Sequence, residues 1–309
     1  MRFSGHKHPR LFSGNEANKS EVRAKKHFGQ HFLRDDRVAE RIVLAMSGYG
    51  DYHDILEVGP GTGVLTRQLL ALTPYKWFGA EIDTESADYI LARHPELSNR
   101  LYLGDFLKMD PAVFPGCGSF GLIGNFPYNI SSQILFRLLA FRHLIPEMVG
   151  MFQKEVALRI ASPPGNKVYG ILSVLLGAFY EIELLFHLGP GAFDPPPKVD
   201  SSVIRLKRRP EPLVADSDSE LFFKTVKMAF GQRRKTLRNA LRPMNPDWQQ
   251  LPQGMDQLRA ERLGKVILRS CGVAFFNIIR FSHGSKQYYG YARKFRVSLY
   301  SLTGFQPVH

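Results

Sequence analysis

The sequence predicts a doubly wound α/β domain followed by a small helical one, and three observations carry that expectation. At residues 54–66 (DILEVGPGTGVLT), an apolar run containing Ile55, Leu56 and Val58 leads into Gly59, Gly61 and Gly63, and an apolar-periodic segment starts at Val64. Strand, glycine turn and helix open a unit whose ligand lies at the strand's carboxyl end. Further strand-like runs at 77–80, 101–104 and 120–124 end in Glu81, Asp105 and Asn125-Phe126-Pro127-Tyr128, so several strand ends carry polar groups. Past Arg208-Arg209, residues 210–219 are rich in Pro, Asp and Ser and read as a linker to a helical domain at 220–263.

The glycine turn narrows the ligand. The dinucleotide fingerprint is G-x-G-x-x-G, with a pyrophosphate at the helix N-terminus. Here the spacing is G-x-G-x-G, Glu57 precedes the first glycine, and Val64 stands at the position of the fingerprint's last one. This E-x-G-x-G-x-G form resembles motif I of the S-adenosylmethionine (SAM) methyltransferases. Glu81, 18 residues past Gly63, then suits two ribose hydroxyls, and Asp105 suits an adenine amino group. Asn125-Phe126-Pro127-Tyr128 suits an exocyclic amine. An Asn side-chain oxygen and a carbonyl beside a proline accept its two N–H bonds, and Tyr128 offers a face for stacking.

The remaining elements follow in order. Residues 1–21 are polar and aperiodic and read as a disordered arm. Residues 23–33 (RAKKHFGQHFL) read either as a clip packing Phe28 and Phe32 on the domain or as a lid over the cofactor's methionine end. Residues 38–46 read as a helix, followed by a turn at Gly48 and Gly50. A Pro/Gly loop (Pro111, Pro115, Gly116, Gly118) precedes the fourth strand. Residues 148–152 read as a strand, 154–161 as a helix broken by Pro163-Pro164-Gly165, and 171–179 as an apolar segment. Gly189-Pro190-Gly191 and Pro195-Pro196-Pro197 make a stiff loop from which Lys198 projects, and 201–206 alternates like a last strand.

Composition sets the class. The 309 residues are 44% hydrophobic and 22% charged, ordinary for a globular chain. Cys117 and Cys271 stand far apart, implying neither a disulfide framework nor a zinc site. No secretory signal is visible, and the longest apolar run, 171–180, is too short to span a bilayer. A soluble cytoplasmic protein without metal is expected.

The net charge of +13 is uneven. Residues 1–50 carry 10 Lys/Arg against 5 Asp/Glu, 51–150 carry 7 against 11, and 151–309 carry 24 against 12. The excess lies outside the glycine-turn unit, as expected if a polyanion meets the flanks. The densest stretch, 224–244, has 7 basic residues and no acid, interleaved with Phe230, Leu237 and Leu241 at helical spacing. One helical face is expected to pack while Arg233, Arg234, Lys235 and Arg238 meet phosphates.

Seven segments, GQHFL (29–33), EVGPGTG (57–63), EID (81–83), GDFL (104–107), GNFPYNISS (124–132), FDPPPKVDSSV (193–203) and FGQRRKTLRNAL (230–241), resemble in order and spacing the small-subunit ribosomal RNA adenine dimethyltransferases. The resemblance covers about 22–263. It implies a Rossmann-like, class I SAM-dependent methyltransferase domain at 22–209 with a small α-helical C-terminal domain, acting as a monomer on 16S rRNA in the small subunit or its precursor. Two adjacent adenosines in a hairpin near the 3′ end would become N6,N6-dimethyladenosine. The implied cofactor contacts are His31, Leu33, Gly59, Gly61, Glu81, Asp105 and Asn125; Asn125, Pro127 and Tyr128 would hold the amine, and Phe193 would pack on the flipped base. Lys198 and the basic residues at 233–238 would meet RNA.

Two departures stand out: His31 where the family often has Asn, and Phe126 where it often has Leu. Residues 264–309 do not resemble the family's ending; they hold no Asp or Glu, 7 Lys/Arg and 9 aromatics. That composition suits base stacking, yet a segment without a role of its own is the favoured reading. Related alternatives are a large-subunit rRNA adenine methyltransferase, against which the last two segments argue, and a DNA adenine methyltransferase, whose usual Asp-Pro-Pro-Tyr clamp differs at Asn125-Phe126. A non-catalytic assembly factor on the same fold is the alternative from another class.

Overall fold

A computed structural model of the chain describes residues 22–110, 118–250 and 253–262; the arm 1–21, most of the Pro/Gly loop, both cysteines and the tail 264–309 lie outside the described residues. After a 3-10 turn at Lys26–Phe28 come β1 (Phe32–Leu33), α1 (Asp36–Leu44), β2 (Asp54–Val58), α2 (Val64–Leu72), β3 (Lys76–Glu81), α3 (Thr84–Arg93), β4 (Leu101–Leu103), β5 (Phe120–Asn125) and α4 (Ser131–Ala140). There follow β6 (Glu147–Gln153), α5 (Lys154–Ala161), α6 (Ile171–Phe179), β7 (Tyr180–Leu188), β8 (Phe193–Asp194), β9 (Ser201–Arg208), α7 (Ser219–Gly231) and α8 (Leu237–Ala240). The chain divides into two units: residues up to 134, 141–157 and 183–207, and residues 135–140, 158–182 and from 208 onward.

The sheet framing the first unit has the order β4-β3-β2-β5-β6-β9-β7. β2 to β6 run parallel to their neighbours, and β9 returns antiparallel to β6. The chain steps outward from β2 through β3 to β4, then crosses back so that β5 lies on the other side of β2. That reversal opens a crevice between the carboxyl ends of β2 and β5, where open α/β sheets bind ligands. Ile55, Leu56 and Val58 of β2 are buried, as expected of a parallel strand covered on both faces. α1 begins ahead of the expected 38–46 because Asp35 caps it, accepting from the Arg37 and Val38 amides at 3.0 and 3.2 Å. Ile42 and Val43 enter the same core as Ile55, Leu65 and Leu69.

Two glycines make room for the aromatic ring at the sheet's centre. Gly124 of β5 stands opposite Gly150 of β6 in the ladder. The Phe126 ring lies over both, 1% exposed and 5.1 Å from the Phe152 ring. A Cβ added at Gly124 would meet this ring at 2.7 Å, and one at Gly150 at 2.1 Å. Phe126 therefore occupies volume that larger residues in the two strands would fill.

In the second unit, α6 packs on α7 through aromatic edges: Phe179 meets Phe222 at 6.2 Å and Phe223 at 6.0 Å. The Leu213 amide donates to the Ala178 carbonyl at 2.9 Å, and Leu213 and Val214 are buried. The basic stretch 224–244 is not one helix, contrary to its periodicity. α7 ends at Gly231, the Lys235 amide turns back to the Gln232 carbonyl at 2.8 Å, and α8 starts after Thr236. Arg233, Arg234 and Lys235 consequently lie on a tight turn between two helices. The strand β7 has no clear signal in the sequence, because one apolar run crosses the junction between α6 and β7. Among the described residues, no helix is long and apolar enough to cross a membrane.

Gly150→Ala is expected to lower stability by about 1–3 kcal/mol through overpacking against Phe126. Thermal or urea unfolding checks this; an unchanged midpoint would mean that the ring moves aside freely.

Candidate functional site

The glycine turn after β2 is held by a carboxylate from the neighbouring strand. Gly59, Gly61 and Gly63 adopt φ of 68°, 58° and 76°, a left-handed backbone that L side chains rarely take. Glu81, 3% exposed at the end of β3, accepts the Gly61 amide through Oε2 and the Asp83 amide through Oε1, both at 2.9 Å. Burial pushes its pKa up, and the two amides act against that shift. The Gly61 N–H, which a phosphate would otherwise take, is already bound. The turn therefore favours a nucleoside ligand without phosphate, and SAM is one. A Cβ built on Gly59 meets nothing within 4 Å, so open space lies at the end of β2.

Beneath the turn lies Glu57, 1% exposed. Its Oε2 accepts Thr66 Oγ1 at 2.7 Å and Trp77 Nε1 at 2.8 Å. Burial raises its pKa to about 7, against these hydrogen bonds. Sequence reasoning gave Glu57 no role beyond its place in the motif. The structure makes it the anchor joining the glycine turn to α2 and β3.

Asp105 follows β4, beside Glu81: the Gly104 amide donates to the Glu81 carbonyl at 2.7 Å. Its Oδ1 accepts the Leu107 amide at 2.9 Å, and its Oδ2 lies 4.0 Å from Lys108 Nζ.

A strap formed by residues 22–33 reaches this crevice. Phe32 lies against the turn, its ring 3.0 Å from a Cβ built on Gly61. Lys25 Nζ reaches Asp83 at 2.5 Å and Glu85 at 3.1 Å, while Gln30 Nε2 donates to Asp83 at 3.3 Å. Burial would push the Asp83 carboxyl up, but the bonds from Lys25 and Gln30 outweigh it and hold it below the ordinary range. β1 pairs antiparallel with β8, placing Phe32 opposite Asp194 and buried Leu33 opposite buried Phe193. An ion pair joins Arg34 to Asp194. Phe32 packs on the domain as the clip reading expects, and Lys25, Gln30 and Asp83 are neighbours of the turn that the sequence did not reveal.

Asn125, at the end of β5, donates from Nδ2 to the His31 carbonyl at 2.8 Å. Because a carbonyl only accepts, the amide's orientation is set, and its Oδ1 remains the acceptor facing away from that bond. The Pro127 carbonyl accepts the Ile130 amide at 3.2 Å and the Ser131 hydroxyl at 3.3 Å, turning the chain into α4. Tyr128 Oη lies 2.5 Å from Ser201 Oγ on β9, and burial, offset by this bond, raises its pKa. The Tyr128 and His31 rings are 5.6 Å apart, and His31 Nδ1 lies 2.8 Å from the Pro195 carbonyl.

The strap, the turn, Glu81, Asp105, Asn125, Tyr128 and Phe193 thus converge in the first unit. Phe193 is only 4% exposed and forms part of the apolar core there. Lys198 is exposed on the loop after Pro197. In the second unit, Arg233 lies 3.8 Å from Glu261 and donates to the Asn166 carbonyl at 3.3 Å, and Arg238 pairs with Asp256 at 2.7 Å. Arg234 and Lys235 are exposed. Among the described residues, no group of three His, Cys, Asp or Glu side chains is placed to hold a metal.

A family model described as ribosomal RNA adenine dimethylase matches residues 21–259. The chain is 50% identical over 244 residues to the ribosomal RNA small subunit methyltransferase A of Cytophaga hutchinsonii, spanning 79% of this chain and 93% of that one. It is 53% identical over 238 residues to the protein of the same name from Porphyromonas gingivalis, covering 76% and 88%. Among solved structures, it resembles a dimethyladenosine transferase from Plasmodium falciparum with a TM-score of 0.63 and 26% identity, covering 80% of this chain and 99% of that one. It also resembles the 23S rRNA methyltransferase ErmE, with a TM-score of 0.58 and 25% identity over 77% and 99%.

Glu57 carries a testable pH signature. A folded pKa of about 7 against an ordinary 4.5 means that the folded protein binds the proton more tightly across that window. The Glu57 contribution to stability is then full below about 4.5 and is lost as pH rises through about 7, on the order of 3 kcal/mol in total. Urea unfolding of the cofactor-free protein from pH 5 to 8 should show this slope, and Glu57→Gln should flatten it. Parallel profiles would contradict the assignment.

Proposed function

The chain belongs to the ribosomal RNA adenine dimethylase family, and from that premise we propose that it dimethylates N6 of two adjacent adenosines in a hairpin near the 3′ end of 16S rRNA. It acts as a monomer in the cytoplasm, on the small ribosomal subunit or its precursor. The cofactor is S-adenosylmethionine. The observation that carries the reading is the Asn125 amide, pinned by the His31 carbonyl at the sheet's switch point so that its oxygen is left to accept.

When bound, the cofactor supplies an electrophilic methyl on a sulfonium and a neutral thioether as leaving group. The protein's part is to bind, orient and exclude water. We assign the ribose hydroxyls to Glu81, the adenine amino group to Asp105, and the remaining contacts to Gly59, Gly61, Leu33 and the His31 backbone. Asn125 Oδ1 and the carbonyl of Phe126, immediately before Pro127, accept the two N–H bonds of the target amine. This draws its lone pair out of conjugation with the ring and toward the methyl. Tyr128, braced by Ser201, stacks on the flipped base, and Phe193 backs the clamp from the core. With the methyl supplied by the sulfonium, the amine held between these two acceptors would be its nucleophile and would then release its proton to solvent. In the second unit, Arg234 and Lys235 lead the phosphate contacts, with Arg233 and Arg238 joining by exchanging their internal partners; Lys198 contributes from the first unit.

The test is transfer of labelled methyl from SAM to purified small subunits lacking the modification and, in parallel, to purified large subunits, with the labelled nucleoside identified. N6,N6-dimethyladenosine at two adjacent adenines is expected, and Asn125→Ala should lower transfer by at least about 100-fold (about 2.7 kcal/mol). Labelling confined to large-subunit RNA would replace this reading with that of an ErmE-like enzyme. Subunit binding without labelling would make the protein an assembly factor.

A further inference from the structure

We propose that His31 is a positioning residue for methyl transfer, and that what it contributes is an N–H donor at the δ position of its side chain. This deepens the function proposed above and rests on it.

Three contacts meet at His31. Its carbonyl orients the Asn125 amide at 2.8 Å, its ring lies 5.6 Å from the Tyr128 ring, and its Nδ1 lies 2.8 Å from the Pro195 carbonyl. The last contact has one chemical sense. A carbonyl oxygen cannot donate, so Nδ1 carries the proton and the neutral ring is the Nδ1–H tautomer. Pro195 lies in the stiff loop next to β8, whose ladder with β1 holds Leu33 against Phe193. One residue, through its backbone carbonyl and its ring, therefore ties the proposed amine clamp, the strap and the proline loop together.

The δ position also says which other side chain could serve. The amide nitrogen of asparagine is bonded to Cγ, as Nδ1 is in histidine, and each presents an N–H at the same remove from the backbone. An Asn at this position would keep the donor and discard the ring. The chemistry that positions the site is then the bond to the proline-loop carbonyl, and the imidazole's aromatic face and second nitrogen are dispensable.

The test compares wild type, His31→Leu, His31→Phe and His31→Asn by single-turnover methyl transfer to unmodified small subunits and by calorimetric affinity for SAM. Losing the donor should lower the transfer rate roughly 3- to 10-fold in both the Leu and Phe variants. SAM affinity should change less than about twofold, because the backbone contacts remain. Asn should recover most of the lost rate relative to Leu. A Phe variant faster than the Asn variant would overturn the proposal in favour of a ring contact, as would a Leu variant matching wild type. Loss of SAM affinity at unchanged transfer rate would also overturn it, making the side chain a cofactor ligand.

A second readout separates this proposal from the assigned function. The Arg34 amide, which donates to the Ala192 carbonyl at 2.9 Å, reports docking of the strap on the proline loop. Its hydrogen exchange should quicken in His31→Leu and return toward wild type in His31→Asn. If wild type fails to methylate small subunits, the proposed substrate is wrong, and this exchange pattern still decides whether the donor positions the strap. Equal protection in all four proteins would overturn it.

Discussion

The site depends on one buried carboxylate holding two backbone amides. Glu81 is removed from water, which penalises its charge, and the amides of Gly61 and Asp83 each offset part of that cost at 2.9 Å. The Gly61 bond fixes a turn whose three glycines stand in left-handed backbone. The Asp83 bond places the carboxylate that Lys25 and Gln30 grip. The glycine turn and the start of α3 thus share a single acceptor, and the strap joins them through the Asp83 carboxylate.

The proposed amine clamp is held in the same way. Asn125 does not orient itself; the His31 carbonyl does so across 94 residues of sequence. Tyr128 is braced from β9 by Ser201. Phe126, between the two clamp residues, faces inward over Gly124 and Gly150, so the clamp's backbone is anchored by a ring buried in the sheet. The geometry proposed for methyl transfer therefore rests on rigid strand ends rather than on a free loop, the arrangement that positional catalysis needs.

Much of this was legible in the chain. Alternating glycines after an apolar run marked the first strand end, and Glu81, Asp105 and Asn125 marked the next three because each stands directly after a strand-like run. Local signals of this kind survive in one dimension. The strap's attachment did not, because Lys25–Asp83 and His31–Pro195 are contacts between distant segments with no spacing rule behind them. β7 was hidden by an apolar run shared with α6, and the break after Gly231 was masked by apolar residues that keep helical spacing across it. Glu57 was visible as a letter of the motif, yet its burial against Trp77 and Thr66 is a property of packing. The inward turn of Phe126 likewise needed the pairing of Gly124 with Gly150 to be seen.

The central claim is that Glu81 organises a phosphate-free nucleoside site, and the calorimetric affinity of Glu81→Gln for SAM tests it most directly. Gln keeps the size, but one of its two terminal atoms becomes a donor facing a backbone N–H, so either the Gly61 or the Asp83 bond must break. The account predicts a loss of affinity of about 100-fold or more, several hydrogen bonds failing together. Affinity within about twofold of wild type would contradict it and make the Glu81 bonds incidental to cofactor binding.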